Sequence, residues 1–94
     1  MRIQQVLWYQ QFVEKLWDKH HVEIEEAEQA LRNRRRVRRV KRGHVQGEDV
    51  YLALGQTDAG RYLAVFFIYK KSHDAIVISA RDMDDQERDE HEKA

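Results

Sequence analysis

Two arginines and a pair of histidines carry the side chains best suited to chemistry. Arg81 closes the apolar run Ile78-Ser79-Ala80 and is followed at once by acids from Asp82, while Arg61 opens the run Tyr62 to Tyr69. A guanidinium at a strand end presents a planar fork of donors that matches a phosphate better than an ammonium does. The plainer role for Arg81 is an ion pair with Asp82, Asp84 or another carboxylate that fastens the last helix, and the two roles are compatible. His20 and His21 supply imidazoles, which titrate near neutrality and are candidates for moving protons. They also fall where a helix ends, where histidine caps carbonyls and complements the dipole with no chemistry involved.

Other chemistries lack their residues. The five histidines, at positions 20, 21, 44, 73 and 91, fit no usual zinc-ligand spacing, so no metal site is expected. Without cysteine there is no disulfide framework and no thiolate nucleophile or ligand. Glu48-Asp49 is a carboxylate pair, but its place after Gly47 suits a solvated turn. A GxSxG elbow, a phosphate-binding loop and a dinucleotide fingerprint are all missing, which removes common hydrolase and dehydrogenase classes and leaves no cofactor to expect.

Charge is balanced in sum and segregated in sequence. Seventeen basic residues match seventeen acidic ones. Arg32 to Arg42 nevertheless holds eight Lys or Arg in eleven positions, and Asp82 to Glu92 holds seven acids against Arg88 alone. A basic face of this density meets a polyanion even in a neutral molecule, because salt screens a distant acidic tail. Its other uses are docking an acidic protein segment, or guarding an edge strand against aggregation. No aromatic is interleaved with the arginines, so phosphate contact rather than base stacking is expected there. Tyr51 and Tyr62 are ordinary strand residues first.

The elements that must position these side chains follow from periodicity. The 94 residues suit one domain with a single two-layer core. Ile3 to Leu7 resembles an edge strand; Trp8, Phe12, Leu16 and Trp17 recur at helical spacing and predict a helix over about Tyr9 to His20. Ile24, Ala27 and Leu31 predict a second helix with acids in its first turn. Arg36 to Arg42 is taken as a strand, although Val37 and Val40 also suit a prolonged helix. Period two from Val50 to Leu54 gives a strand ending at Gly55, and Thr57-Asp58-Ala59-Gly60 gives a type I turn with a glycine bulge. Arg61 to Lys70 and Ala75 to Ala80 are apolar on both faces, as central strands are, and are joined by a turn over Ser72 to Asp74. Asp84 and Glu87 form a capping-box pattern for a last helix to about Glu92, too polar to fill a core. The expectation is an α+β fold: an antiparallel sheet of four to five strands, two N-terminal helices on one face, a short C-terminal helix, and a second face free for solvent or a partner. No apolar run approaches the roughly 20 residues that span a bilayer, and the N-terminus lacks a signal pattern, so a soluble cytoplasmic protein is expected.

Three blocks in order, KHHVEIEEAE (Lys19 to Glu28), RGHVQGEDVYLALGQTDAGRYLAVFFIYK (Arg42 to Lys70) and ISARDMDDQER (Ile78 to Arg88), resemble the successive blocks of BrnT-type toxins within the wider RelE/ParE-like superfamily. The likeness runs from about Trp8 onward. It implies a single RelE-like toxin domain over residues 1–94 and an endoribonuclease that cuts mRNA, on or off the ribosome, and so inhibits translation. The implied partner is a small DNA-binding antitoxin. The family pattern usually has glycine after Lys-His, where this chain has His21, and tyrosine in the last helix, where it has His91. On this resemblance Arg81 and Arg61 are expected to stabilise the phosphate, His20 to shuttle a proton beside Lys19, and His91 to stand in for the tyrosine. Arg35, Arg36, Arg38, Arg39, Lys41 and Arg42 are assigned to RNA by their charge, since the run is denser than the family pattern requires. The alternatives are a toxin fold without catalysis that only binds an antitoxin or nucleic acid, and a module whose arginine strand pairs with the acidic tail of another copy.

Overall fold

The computed structural model describes residues 1–45 and 47–94. Strand β1 (Gln5–Leu7) leads into helices α1 (Gln10–His20) and α2 (Ile24–Arg32). Strands β2 (Arg36–Lys41), β3 (Val50–Gln56), β4 (Tyr62–Tyr69) and β5 (Asp74–Asp82) follow, and helix α3 (Asp85–Glu92) ends the chain. The strands form one sheet in the order β1-β5-β4-β3-β2. All neighbours are antiparallel except β1, which pairs parallel to β5 through Val6 and Ala75. The α+β class is as expected, with a mixed rather than purely antiparallel sheet.

Strand alternation divides the sheet into two faces. Ala53, Leu63, Val65, Phe67, Ala75, Val77 and Ala80 point to one side and pack with Leu16 of α1 and Ala27, Ala30 and Leu31 of α2. Leu52, Leu54 and Ala64 point to the other, where Met83 joins them with Tyr62 and Phe66 alongside. The second face is not free: α3 lies over it, with His91 edge-on to Tyr62 at 5.6 Å between ring centroids. Glu87 and His91 are buried, so the last helix does close a small core, contrary to its polar sequence. Its start is the expected capping box, Glu87 N–H donating to Asp84 at 2.8 Å and Asp84 N–H to Glu87 at 2.9 Å.

Helix α1 ends where His21 turns left-handed, at φ 52° and ψ 42°. Its N–H donates to Trp17 O at 2.9 Å and the Val22 N–H to Leu16 O at 3.2 Å, the backward bonds that close a helix of this kind. Glycine favours that conformation, so histidine is held here against its backbone preference. Trp17, placed on the apolar stripe by its spacing, is instead 53% exposed and leans edge-on against His21.

Gly55 does not stop its strand, which continues to Gln56. The residue is small because α2 crosses directly above it: a Cβ there would lie 2.1 Å from the Ala30 carbonyl oxygen. The hairpin after it forms as expected, with Gly60 N–H donating to Thr57 O at 2.9 Å and Gly60 at φ 100°. Strand β2 stops at Lys41, one residue before the expected Arg42, after a register shift between Arg39 and Lys41.

Candidate active site and arginine cleft

The C-terminal end of β5 gathers both strand-end arginines and the end of α1. Arg61 opens β4 opposite this end, since Leu63 pairs with Asp82. Its Nε donates to Asp82 at 2.7 Å, its Nη1 to the His21 carbonyl at 2.9 Å and to Glu26 at 3.1 Å, and its Nη2 to the His20 carbonyl at 3.2 Å. Arg61 therefore caps α1 and ties it to α2 and β5, a duty the histidine side chains had been candidates for. These bonds, that to Asp82 foremost, raise its pKa above the ordinary arginine value. A guanidinium has five N–H donors, and this network leaves little of Arg61 for a ligand.

Arg81 points to the opposite face of the sheet and meets α3. Its Nη1 and Nη2 form a two-pronged pair with Glu87 at 2.6 and 2.8 Å, and Nη1 also donates to the Asp82 carbonyl at 3.1 Å. The guanidinium stands 5.3 Å from the Phe66 ring centroid. Hydrogen bonding to Arg81 holds the Glu87 carboxyl below its ordinary range despite burial, and the same pair raises Arg81. The ion pair with an acid is thus present, with Glu87 rather than Asp82 or Asp84 as its carboxylate. Among the described residues, Nε and one Nη2 proton have no acceptor, and the side chain is one-third exposed.

Lys19 and His20 line a concavity of about 280 Å³ between α1 and β5, with Lys15, Phe12, Leu16, Ile78 and Ser79. The Ile78 position is where the β4–β5 register shifts, Phe66 pairing with Ser79 but Phe67 with Val77. This bulge falls in the wall that the concavity shares with His20. Among the described residues no three His, Asp or Glu side chains converge as metal ligands.

The arginine run builds a cleft of about 560 Å³, lined by Met1, Arg32, Arg34, Arg35, Arg36, Val37, Arg38, Arg39 and Tyr51. Four of the six residues assigned to RNA line it; Lys41 and Arg42 do not. Arg32 and Arg34, read only as part of the basic run, join from the end of α2. Tyr51 reaches the cleft because its strand pairs it with Arg39, so an aromatic does accompany the arginines, supplied by the neighbouring strand. No local spacing marks that; only the β2–β3 register does.

The acidic tail is not distant from these cations. Glu90 of α3 accepts from Arg38 Nε at 2.9 Å and lies 3.8 Å from Arg36, and Arg35 donates to the Ala94 main-chain oxygen at 2.9 Å. The hydrogen bond to Glu90 raises the pKa of Arg38. Tail and strand thus pair within one copy, which removes the main reason to invoke the tail of a second. His91, whose plain expectation was an exposed tail residue, is 1% exposed, and among the described residues neither ring nitrogen has a hydrogen-bond partner. Burial first, then the charge of Arg35, pushes its pKa down.

Among the described residues no helix is long and apolar enough to cross a membrane. Among curated proteins none matches the chain. The crystal structure of the Brucella abortus ribonuclease toxin, BrnT, has a TM-score of 0.60 against this fold at 20% identity, covering 85% of this chain and 96% of that one. At that identity the likeness establishes a shared fold. The family model for the ribonuclease toxin BrnT of type II toxin-antitoxin systems matches residues 8–87, from Trp8 just ahead of α1 to the Glu87 that holds Arg81. The chain therefore belongs to the BrnT family of ribonuclease toxins, the toxin side of type II toxin-antitoxin systems.

Proposed function

We propose that the 94 residues act as one toxin domain that cleaves mRNA without a metal ion and so arrests translation. A small DNA-binding antitoxin is its partner. The observation that carries the nucleic-acid part is the cleft: six arginines and a tyrosine converge on one surface of a chain whose formal net charge is zero. Phosphates along the strand take the guanidiniums of Arg35, Arg36, Arg38 and Arg39, with Lys41 and Arg42 extending the basic path.

Cleavage follows from a ribose 2′-hydroxyl attacking its own 3′-phosphate. The new bond is 2′-O to phosphorus, the bond broken is phosphorus to the 5′-oxygen, and the products are a 2′,3′-cyclic phosphate and a 5′-hydroxyl. His20 takes the proton from the 2′-oxygen or returns one to the 5′-oxygen. Arg81 stabilises charge growing on the phosphate, and Lys19 adds to the field beside His20. Arg61 acts as a positioning residue: by holding the carbonyls of His20 and His21 and the side chain of Asp82 it fixes the end of α1 against the strand that carries Arg81.

A second reading has two observations in its favour. Arg81 is already tied to Glu87 and His91 is buried, as suits a toxin fold that only binds. Induction of wild type, Arg81→Lys and Arg81→Ala in a bacterial host separates the two. The wild type is expected to arrest translation with mapped mRNA cuts. Both variants should lose the cuts by more than about tenfold while circular dichroism shows them folded. No arrest from wild type at comparable soluble levels favours the binding module.

A further inference from the structure

Helix α3 rests on the sheet face that carries Arg36, Arg38 and Arg81, held by charge pairs, by Arg88 4.0 Å over the Tyr62 ring and by His91 edge-on to that ring. Its residues 85–92 include no aliphatic or aromatic hydrocarbon side chain; the two buried ones are Glu87 and His91. Glu87 grips Arg81 with both oxygens, and Glu90 serves Arg38 and Arg36 together. The Glu90 pairs are partly exposed, weaken in salt and contribute modestly, so they can be exchanged, while the largely buried Glu87–Arg81 pair yields only to a phosphate that takes over both prongs. Carboxylates and phosphates compete for the same guanidinium forks.

We infer that α3 is the resident anion of the RNA site: an incoming strand gains Arg36, Arg38 and Arg81 by replacing the carboxylates of Glu87 and Glu90 with its phosphates, and α3 leaves the sheet as RNA binds. This rests on the RNA-binding reading above and adds where the strand lies and what it must displace. Three guanidiniums are thereby held by two carboxylates in the free protein, and the affinity for RNA is lowered by the work of lifting the helix. Lifting α3 carries His91 away with it and uncovers Tyr62 of β4, against whose ring His91 now packs edge-on. A phenol then stands on the same face as Arg81, where a strand can reach it.

The test uses the full chain and a 2′-O-methyl oligonucleotide, which cannot be cut through a 2′-hydroxyl. Glu90→Gln removes the contact to Arg36 and Arg38; Glu92→Gln removes the same charge from α3 at a side chain whose partner is Arg88. Glu90→Gln is expected to bind the probe about fivefold tighter than Glu92→Gln. Amide hydrogen exchange over residues 85–92 of the wild type should quicken when the probe binds. Equal affinities of the two variants, or α3 amides that stay protected in the complex, overturn the inference and leave RNA binding standing. Failure of all three chains to bind the probe removes the RNA reading itself, and this inference with it.

Discussion

His91 is a buried ring whose two nitrogens have no partner among the described residues, an arrangement that disfavours the charged form. In the unfolded chain the ring protonates at its ordinary value of about 6.5; in the fold, burial pushes that value down. Between the two values the unfolded state binds the extra proton. The contribution to stability is therefore complete above the ordinary value and is lost as pH falls through the window below it. Urea midpoints at about pH 7.5 and about pH 5.5 should show that loss, and His91→Phe should flatten it relative to wild type. An equal slope in both proteins would contradict a buried neutral ring. His21 offers an opposite case, a non-glycine residue held left-handed at φ 52°. His21→Gly is expected to stabilise the fold by about 0.5 kcal/mol, the relief of the left-handed strain less the added chain entropy of glycine. Denaturant unfolding measures it, and a loss of stability would mean that the contact with Trp17 outweighs the strain.

At the scale of elements, the close crossing of α2 over β3 is the most demanding contact. Gly55→Ala places a methyl group 2.1 Å from the Ala30 oxygen, and neither helix backbone nor strand can yield cheaply. A loss of about 3 kcal/mol, seen as a lower thermal midpoint, is expected; an unchanged midpoint would mean that α2 shifts freely. Much of this architecture is legible in the chain. The alternation of Val50, Leu52 and Leu54, the turn at Gly60 and the capping box at Asp84 are local signals, and each gives its element the right type. Gly55 misleads because a glycine that admits a helix looks the same in sequence as one that ends a strand. The site is less legible for a similar reason. Arg81 and Arg61 stand out by position, but their partners Glu87, Glu26 and Asp82 are selected by register and by helix placement. The seat of α3 depends on pairs such as Arg38 with Glu90, 52 positions apart, which no periodicity encodes.

Across the whole molecule, the segregated charges fold onto one another only in part. Seven acids of the tail face a run of eight cations, yet the arginine cleft keeps Arg32, Arg34 and Arg39 away from α3 and beside Tyr51. The result is a neutral chain with a basic groove at one side and a proton-moving candidate, His20, near the strand end that carries Arg81. The account stands or falls on whether that surface cuts RNA by its own ribose hydroxyl. The most direct measurement adds the purified chain to a translating bacterial extract with a defined mRNA, or the same message bearing 2′-deoxy residues at the mapped cut sites, and identifies the ends produced. Cuts that leave a 2′,3′-cyclic phosphate on the normal message and vanish at the deoxy positions are predicted. An intact normal message bound by the folded chain, or cuts that persist at the deoxy positions, would contradict it.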